Sequence, residues 1–258
     1  MEGSHRRITG AQADPEAEGE NRDEGRSEGR TRARRPGVTN LDTGAAKDWV
    51  AWHAAYDEDT PLHHRLRAVQ GRIREALLDR PPGPIRVISA CAGEGRDLLG
   101  ALVDHPRAGD VHGRLVELDH ELAATAAANA PPGIEVVSAD AGCTDPYVGA
   151  VPADLVLVCG VFGNISDEDV ERTVRALPML CARNATVIWT RHRRPPDLTI
   201  DIRGWFAAAG FEPVTFDAPM AFEWSVGVHR FVGDPEPILP GHRLFTFVTA
   251  APERGAPA

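Results

Sequence analysis

Four places in the chain combine residue types that can do chemistry with the spacing of strand ends. Gly93 and Gly95 stand two apart directly after the apolar run Ile85-Arg-Val-Ile-Ser-Ala90. Glu117 follows Gly95 by 22 positions at the end of a second apolar run, Asp140 closes a third, and Gly160 to Asn164 closes a fourth. Glycine takes positive φ without strain and lets the backbone approach a ligand, because no Cβ intervenes. A helix that begins after such a turn offers free amides to electron-rich groups. An acid at the end of a second strand can accept both hydroxyls of a ribose. A plain strand-to-helix turn would use the same two glycines, so the reading depends on the other residues falling at equivalent ends. Two histidines supply the proton-transfer chemistry that a neutral imidazole allows. His192 follows a fifth apolar run beside Arg191, Arg193 and Arg194, and His229 precedes Arg230 near the carboxyl end of the chain.

The elements that would position these groups alternate regularly. Leu62, Leu66, Val69, Ile73, Ala76 and Leu77 recur at helical spacing and form one apolar stripe. Arg80-Pro-Pro-Gly-Pro84 ends that helix. Strands are expected at 85–90, 114–119, 134–138, 153–159 and 185–190, with helices near 96–103, 121–130 and 200–209 and another starting near Ser166. Strands separated by helices require right-handed crossovers and a mainly parallel sheet with both faces covered. The ending differs. Phe211-Glu-Pro-Val-Thr-Phe216 and Leu244-Phe-Thr-Phe-Val248 read as strands with no helix between them, which predicts an antiparallel final pair and an insertion over 217–243.

Residues 1–40 are rich in Glu, Arg, Gly and Ser and read as a disordered tail. Residues 41–82 read as N-terminal helices whose aromatic residues Trp52 and Tyr56, with His53, form a possible lid over a substrate. Residues 83–250 form the core, and 251–258 a flexible C-terminus. The chain of 258 residues carries a net charge of −10. Residues 1–36 hold eight Arg and eight acids, so all of the excess negative charge falls on the remainder. That opposes non-specific contact with nucleic acid, whose phosphates need a positive footprint. No apolar stretch is long enough to span a bilayer, and no signal peptide is evident at the start, which points to a cytoplasmic protein without a membrane partner. The four cysteines, Cys91, Cys143, Cys159 and Cys181, lack paired spacing, so neither a disulfide framework nor a metal site is expected.

A dinucleotide fingerprint would place a third glycine at position 98, where Leu98 stands. The pattern instead resembles the class I S-adenosylmethionine-dependent methyltransferases, through the glycine turn, Glu117, Asp140 and the antiparallel ending. The resemblance implies a Rossmann-like α/β fold with a seven-stranded, mostly parallel sheet, an antiparallel final strand and helices on both faces. It also implies S-adenosyl-L-methionine as cofactor. Its residues would be the backbone of Ala90, Cys91, Ala92, Gly93 and Gly95, with Glu117 on the ribose, Asp140 and Ala141 at the adenine, and Gly160 at the methionine end. The family's strand-end acid falls on Ser89 and its first glycine on Cys91, so contact with the methionine amino group must come from backbone carbonyls or another side chain. Trp52-His-Ala-Ala-Tyr56, Cys91-Ala-Gly-Glu-Gly-Arg-Asp97, Val158-Cys-Gly-Val-Phe-Gly-Asn-Ile165 and Trp189-Thr-Arg-His-Arg193 look like an actinobacterial group within that family.

Methyl transfer is an in-line displacement, so a protein mainly aligns the reactants and excludes water. A base is needed only for an hydroxyl or protonated amine acceptor. His192 and His229 are the candidates for that role. Trp52, Tyr56, Phe162, Asn164 and Arg191 are the candidates for substrate contact. The chain lacks the Asn or Asp followed by Pro-Pro and an aromatic that enzymes acting on exocyclic base amines place after the fourth strand. A small-molecule acceptor, such as a secondary metabolite, is therefore expected. A cofactor-binding protein without transferase activity and an NAD-dependent oxidoreductase are the competing readings.

Overall fold

The computed structural model describes residues 60–248; the expected lid residues Trp52, His53 and Tyr56 lie outside them. The first described helix, α1 (Pro61–Leu78), is started by Thr60, whose hydroxyl accepts from the His63 amide at 3.1 Å. Pro61 occupies the first turn, where a missing N–H costs nothing. Its buried residues Leu66, Val69, Ile73, Ala76 and Leu77 belong to the stripe expected from their spacing.

The chain then alternates through β1 (Ile85–Ala90), α2 (Arg96–Leu102), β2 (Val111–Glu117), α3 (His120–Asn129), β3 (Ile134–Ser138), β4 (Ala153–Val158), α4 (Asp167–Ala176) and β5 (Cys181–His192). Asp119 caps α3 and Ser166 caps α4, each accepting from amides of the first turn. After α5 (Thr199–Ala208) come β6 (Phe211–Asp217) and β7 (Trp224–Phe231). The seven strands lie in the order β3-β2-β1-β4-β5-β7-β6. Strands β1 to β5 pair in parallel, and β7 runs antiparallel to both β5 and β6. One sheet face packs Val87, Leu115, Leu157 and Ile188 with residues of α1 and α2. The other packs Val156, Val158, Val187 and Trp189 with residues of α4 and α5. No described helix is long and apolar enough to cross a membrane.

Two expectations are corrected. The antiparallel strand is Trp224–Phe231, inside the stretch 217–243 that reads as an insertion. Leu244 to Val248 is not a strand of the sheet. It crosses the carboxyl ends of the parallel strands, bridging Cys143 through Arg243 and Ile165 through Phe247. Leu244 and Phe245 are buried there against residues of α4 and β4, which explains an apolar run without sheet pairing. The true strand hides its pattern because Gly227 lies opposite Trp189 and beneath its ring. A Cβ on Gly227 would fall 2.2 Å from the Trp189 ring, so only glycine fits. A third, smaller shift concerns β5, which extends to His192, so this histidine is a strand residue.

Candidate active site

The strand order reverses between β1 and β4, and a cleft opens at the carboxyl ends of the strands around that point. The turn after β1 is built as expected. Gly93 and Gly95 take φ of 55° and 76°, and Cys91 joins them in the left-handed region at 52°. The Ala92 amide donates to the Val116 carbonyl, which ties the turn to β2. Cys91 and Ala92 line the cleft, whereas Ala90 is buried in β1. Burial, and next the charges of Glu117 and Asp140, push the Cys91 thiol well above its ordinary range, so it remains protonated.

Glu117 sits at the tip of β2. One carboxylate oxygen accepts from the Gly93 amide at 2.8 Å and the other from the Asp119 amide at 2.9 Å. Two backbone donors thus fix its orientation, and the remaining lone pairs face a cleft that it helps to line. Asp140, after β3, accepts from the Gly142 amide at 2.8 Å and pairs with Arg243 at 2.5 Å. Ala141 is buried beside it. Leu118, Leu122 and Phe247 add apolar surface at the same end of the cleft.

At the other end, Gly160 takes φ of 76°, and its amide donates to the Thr190 hydroxyl at 2.8 Å. Its carbonyl accepts from the Asn164 side-chain amide at 2.6 Å, which closes the turn after β4. Asn164 also accepts from the Val248 amide through its carbonyl, so it organises loops. Ser89 is buried in β1. Arg65, Asp97 and Cys159 line this end. Burial raises the Asp97 carboxyl, while the charge of Arg65 and the neighbouring Cys159 thiol oppose that rise. The sequence signal for Asp97 is its place two positions after Gly95, in the first turn of α2, whereas Arg65 reaches the cleft only through the register of α1 against the sheet.

His192 and Trp224 are cross-strand partners on the sheet face that carries α1. The His192 ring packs on Gly163, with Cδ2 3.4 Å from where a Cβ there would be. His192 Nδ1 and Trp224 Nε1 are both buried without a hydrogen-bond partner. Burial, and then the charges of Arg191 and Arg194, lower the His192 pKa, which favours the neutral imidazole near pH 7. Beyond them, Phe222 stacks on His64 at 4.8 Å and on Trp224 at 5.7 Å between ring centres. The carboxyl edge past Gly160 is therefore an aromatic wall.

Three expected site residues lie elsewhere. His229 is 2% exposed on the opposite sheet face, stacked on Phe206 at 4.2 Å, and its Nδ1 accepts from Trp189 Nε1 at 3.0 Å. Phe162 is fully buried against Trp189. Arg191 is buried, donates to the Phe162 carbonyl and pairs with Asp167, so it braces the turn after β4. Arg191 and His229 take the sheet face opposite His192 because alternate residues of a strand point to opposite faces, and Phe162 turns into the core beside Trp189.

The strand order with its reversed seventh strand is the Rossmann-like methyltransferase sheet. Among solved structures, magnesium protoporphyrin IX methyltransferase (ChlM) from Synechocystis PCC 6803 with bound SAM superposes with a TM-score of 0.55. That match has 12% identity and covers 71% of this chain and 90% of that one. The CurJ carbon methyltransferase gives a TM-score of 0.56 at 13% identity, over 72% of this chain and 59% of its own. The N-methyltransferase NodS from Bradyrhizobium japonicum WM9 gives 0.50 at 14%, over 70% and 99%. No protein-family model matches the chain, and the search of curated proteins returns no significant match. At these identities the likeness establishes the fold.

Proposed function

We propose that this protein is an S-adenosylmethionine-dependent methyltransferase acting on a small-molecule acceptor. The observation that carries the reading is Glu117, held by the Gly93 and Asp119 amides at the rim of a cleft that lies at the strand-order reversal. The chemistry of the lining fits the cofactor. An acid aimed at a diol, apolar surface from Leu118, Leu122 and Phe247, and a close backbone turn at Ala92 suit an adenosine. Leu98 is buried in the core where a dinucleotide turn needs glycine, which argues against the oxidoreductase reading.

When bound, the cofactor supplies an electrophilic methyl on a sulfonium. The protein's work is then orientation and exclusion of water. Glu117 orients the ribose, and Gly160 allows close approach beside the methionine end. His192 lies past Gly163 on the aromatic side of the edge, where an acceptor would enter. Its neutral imidazole would take the proton of an acceptor hydroxyl or ammonium.

The test is calorimetric titration with S-adenosylmethionine and with NAD, followed by incubation with the labelled methyl donor and an extract of the producing cell. Binding of the first ligand alone with label in a small product supports the proposal. Binding without transfer to any acceptor supports a non-catalytic cofactor-binding protein, and absence of both sinks the reading.

A further inference from the structure

The two ends of the cleft neutralise their acids differently. At the β2–β3 end, Glu117 is matched by two backbone amides, and Asp140 by an amide and Arg243. At the β1–β4 end, Asp97 stands in the first turn of α2 beside the Cys159 thiol, whose hydrogen goes to the Ile188 carbonyl. A carboxylate accepts about four hydrogen bonds, so Asp97 retains most of its capacity toward the cleft it lines. Arg65, from α1, lines the same end and acts on Asp97 through its charge. This end of the cleft therefore presents a carboxylate and a guanidinium together.

One ligand group answers both, namely the zwitterion of an α-amino acid. Its ammonium needs an anionic acceptor, and its carboxylate suits the planar fork of an arginine. The position after β1 where such an acid is otherwise expected holds Ser89, which is 4% exposed within the strand. We infer that Asp97 and Arg65 grip the ammonium and carboxylate of the cofactor's methionine moiety, Asp97 standing in from α2 for the acid missing at the end of β1. The inference rests on the cofactor reading above and specifies which side chains recognise the amino-acid half.

The discriminating probe is 5′-methylthioadenosine, which keeps the adenosine and the sulfur but lacks the amino acid. Calorimetry on the full chain would compare it with S-adenosylmethionine and S-adenosylhomocysteine. Asp97→Asn should lose roughly 10- to 100-fold in affinity for the two amino-acid ligands, the range for a hydrogen bond to a charged group. Methylthioadenosine should change by less than about 3-fold, within the scatter of a site that loses no contact. Arg65→Gln should show the same split, and Asp97→Glu should recover part of the loss. Equal losses for all three ligands would make Asp97 a structural residue and overturn the inference, as would no loss at all. Arg65→Gln, a change on a half-exposed helical residue, carries the test should Asp97→Asn fail to fold. If the wild-type protein binds none of the three, the cofactor reading itself fails. If it binds all three equally well, the cofactor reading stands and the amino-acid clamp falls.

Discussion

The carboxyl edge of the sheet and the aromatic core under β5 and β7 both hold histidines with lowered pKa, yet the two regions treat polar groups in opposite ways. At the edge, Glu117 is oriented by the Gly93 and Asp119 amides, which leave carboxylate lone pairs toward the cleft. In the core, His229 is sandwiched against Phe206, hydrogen-bonded by Trp189 and shielded from solvent. His192 and His229 sit on neighbouring antiparallel strands, but on opposite faces and at different depths. The difference teaches that a lowered pKa marks burial in both places, and that only position at the strand ends makes a histidine available to a substrate.

The largest expected effect lies in the core. Gly227→Ala would drive a Cβ into the Trp189 ring and should cost about 3 kcal/mol of stability, measured by urea unfolding. A cost well below 1 kcal/mol would show that the Trp189 packing is softer than the register implies. Next comes the edge. His192→Ala should lower turnover by about 100-fold while leaving cofactor affinity within about twofold. A parallel loss of cofactor binding in calorimetry would move His192 out of the acceptor side.

The third prediction returns to the core histidine through pH. Burial first, and then the charge of Arg203, depress the His229 pKa from 6.5 to about 4. Between those values the unfolded chain takes up a proton that the folded chain refuses, so stability falls as pH falls. The contribution lost by pH 5 is about 2 kcal/mol. Melting temperature should therefore drop more steeply between pH 7 and pH 5 in the wild type than in His229→Gln, and parallel curves would contradict the assignment. The smallest effect belongs to the exposed pair at the rim. Arg243 and Asp140 side chains are 47% and 49% exposed, so Arg243→Ala should shift stability by less than about 1 kcal/mol. A change of under about 3-fold in cofactor affinity should accompany it, and a larger loss would give the pair a part in ligand binding.

Much of this edge is legible in the sequence. The glycine turn, Glu117, Asp140, Ala141 and Gly160 fall where alternating strands and helices put them, because each follows an apolar run whose end is marked locally. The burial of Phe162 and Arg191 is not carried by periodicity: Phe162 lies in the turn after β4 and packs on Trp189, and Arg191 braces that turn from β5 through the Phe162 carbonyl. The final strand escaped notice because Gly227 and His229 interrupt its apolar pattern. Each is there to suit Trp189, a partner 38 and 40 positions earlier in the chain.

Local pattern in the chain sets the α/β alternation, the parallel direction of the first five strands and the glycine-bearing turn at Gly93 and Gly95. Those features arise from short-range terms, namely apolar periodicity, helix caps and the steric freedom of glycine. Long-range packing makes β7 Trp224–Phe231, lays Leu244 to Phe247 across the strand ends, and brings Arg65 and Asp97 to the same end of the cleft. Each of those depends on contacts between segments far apart in the chain, whose pairing is set by how whole faces pack and not by any local pattern.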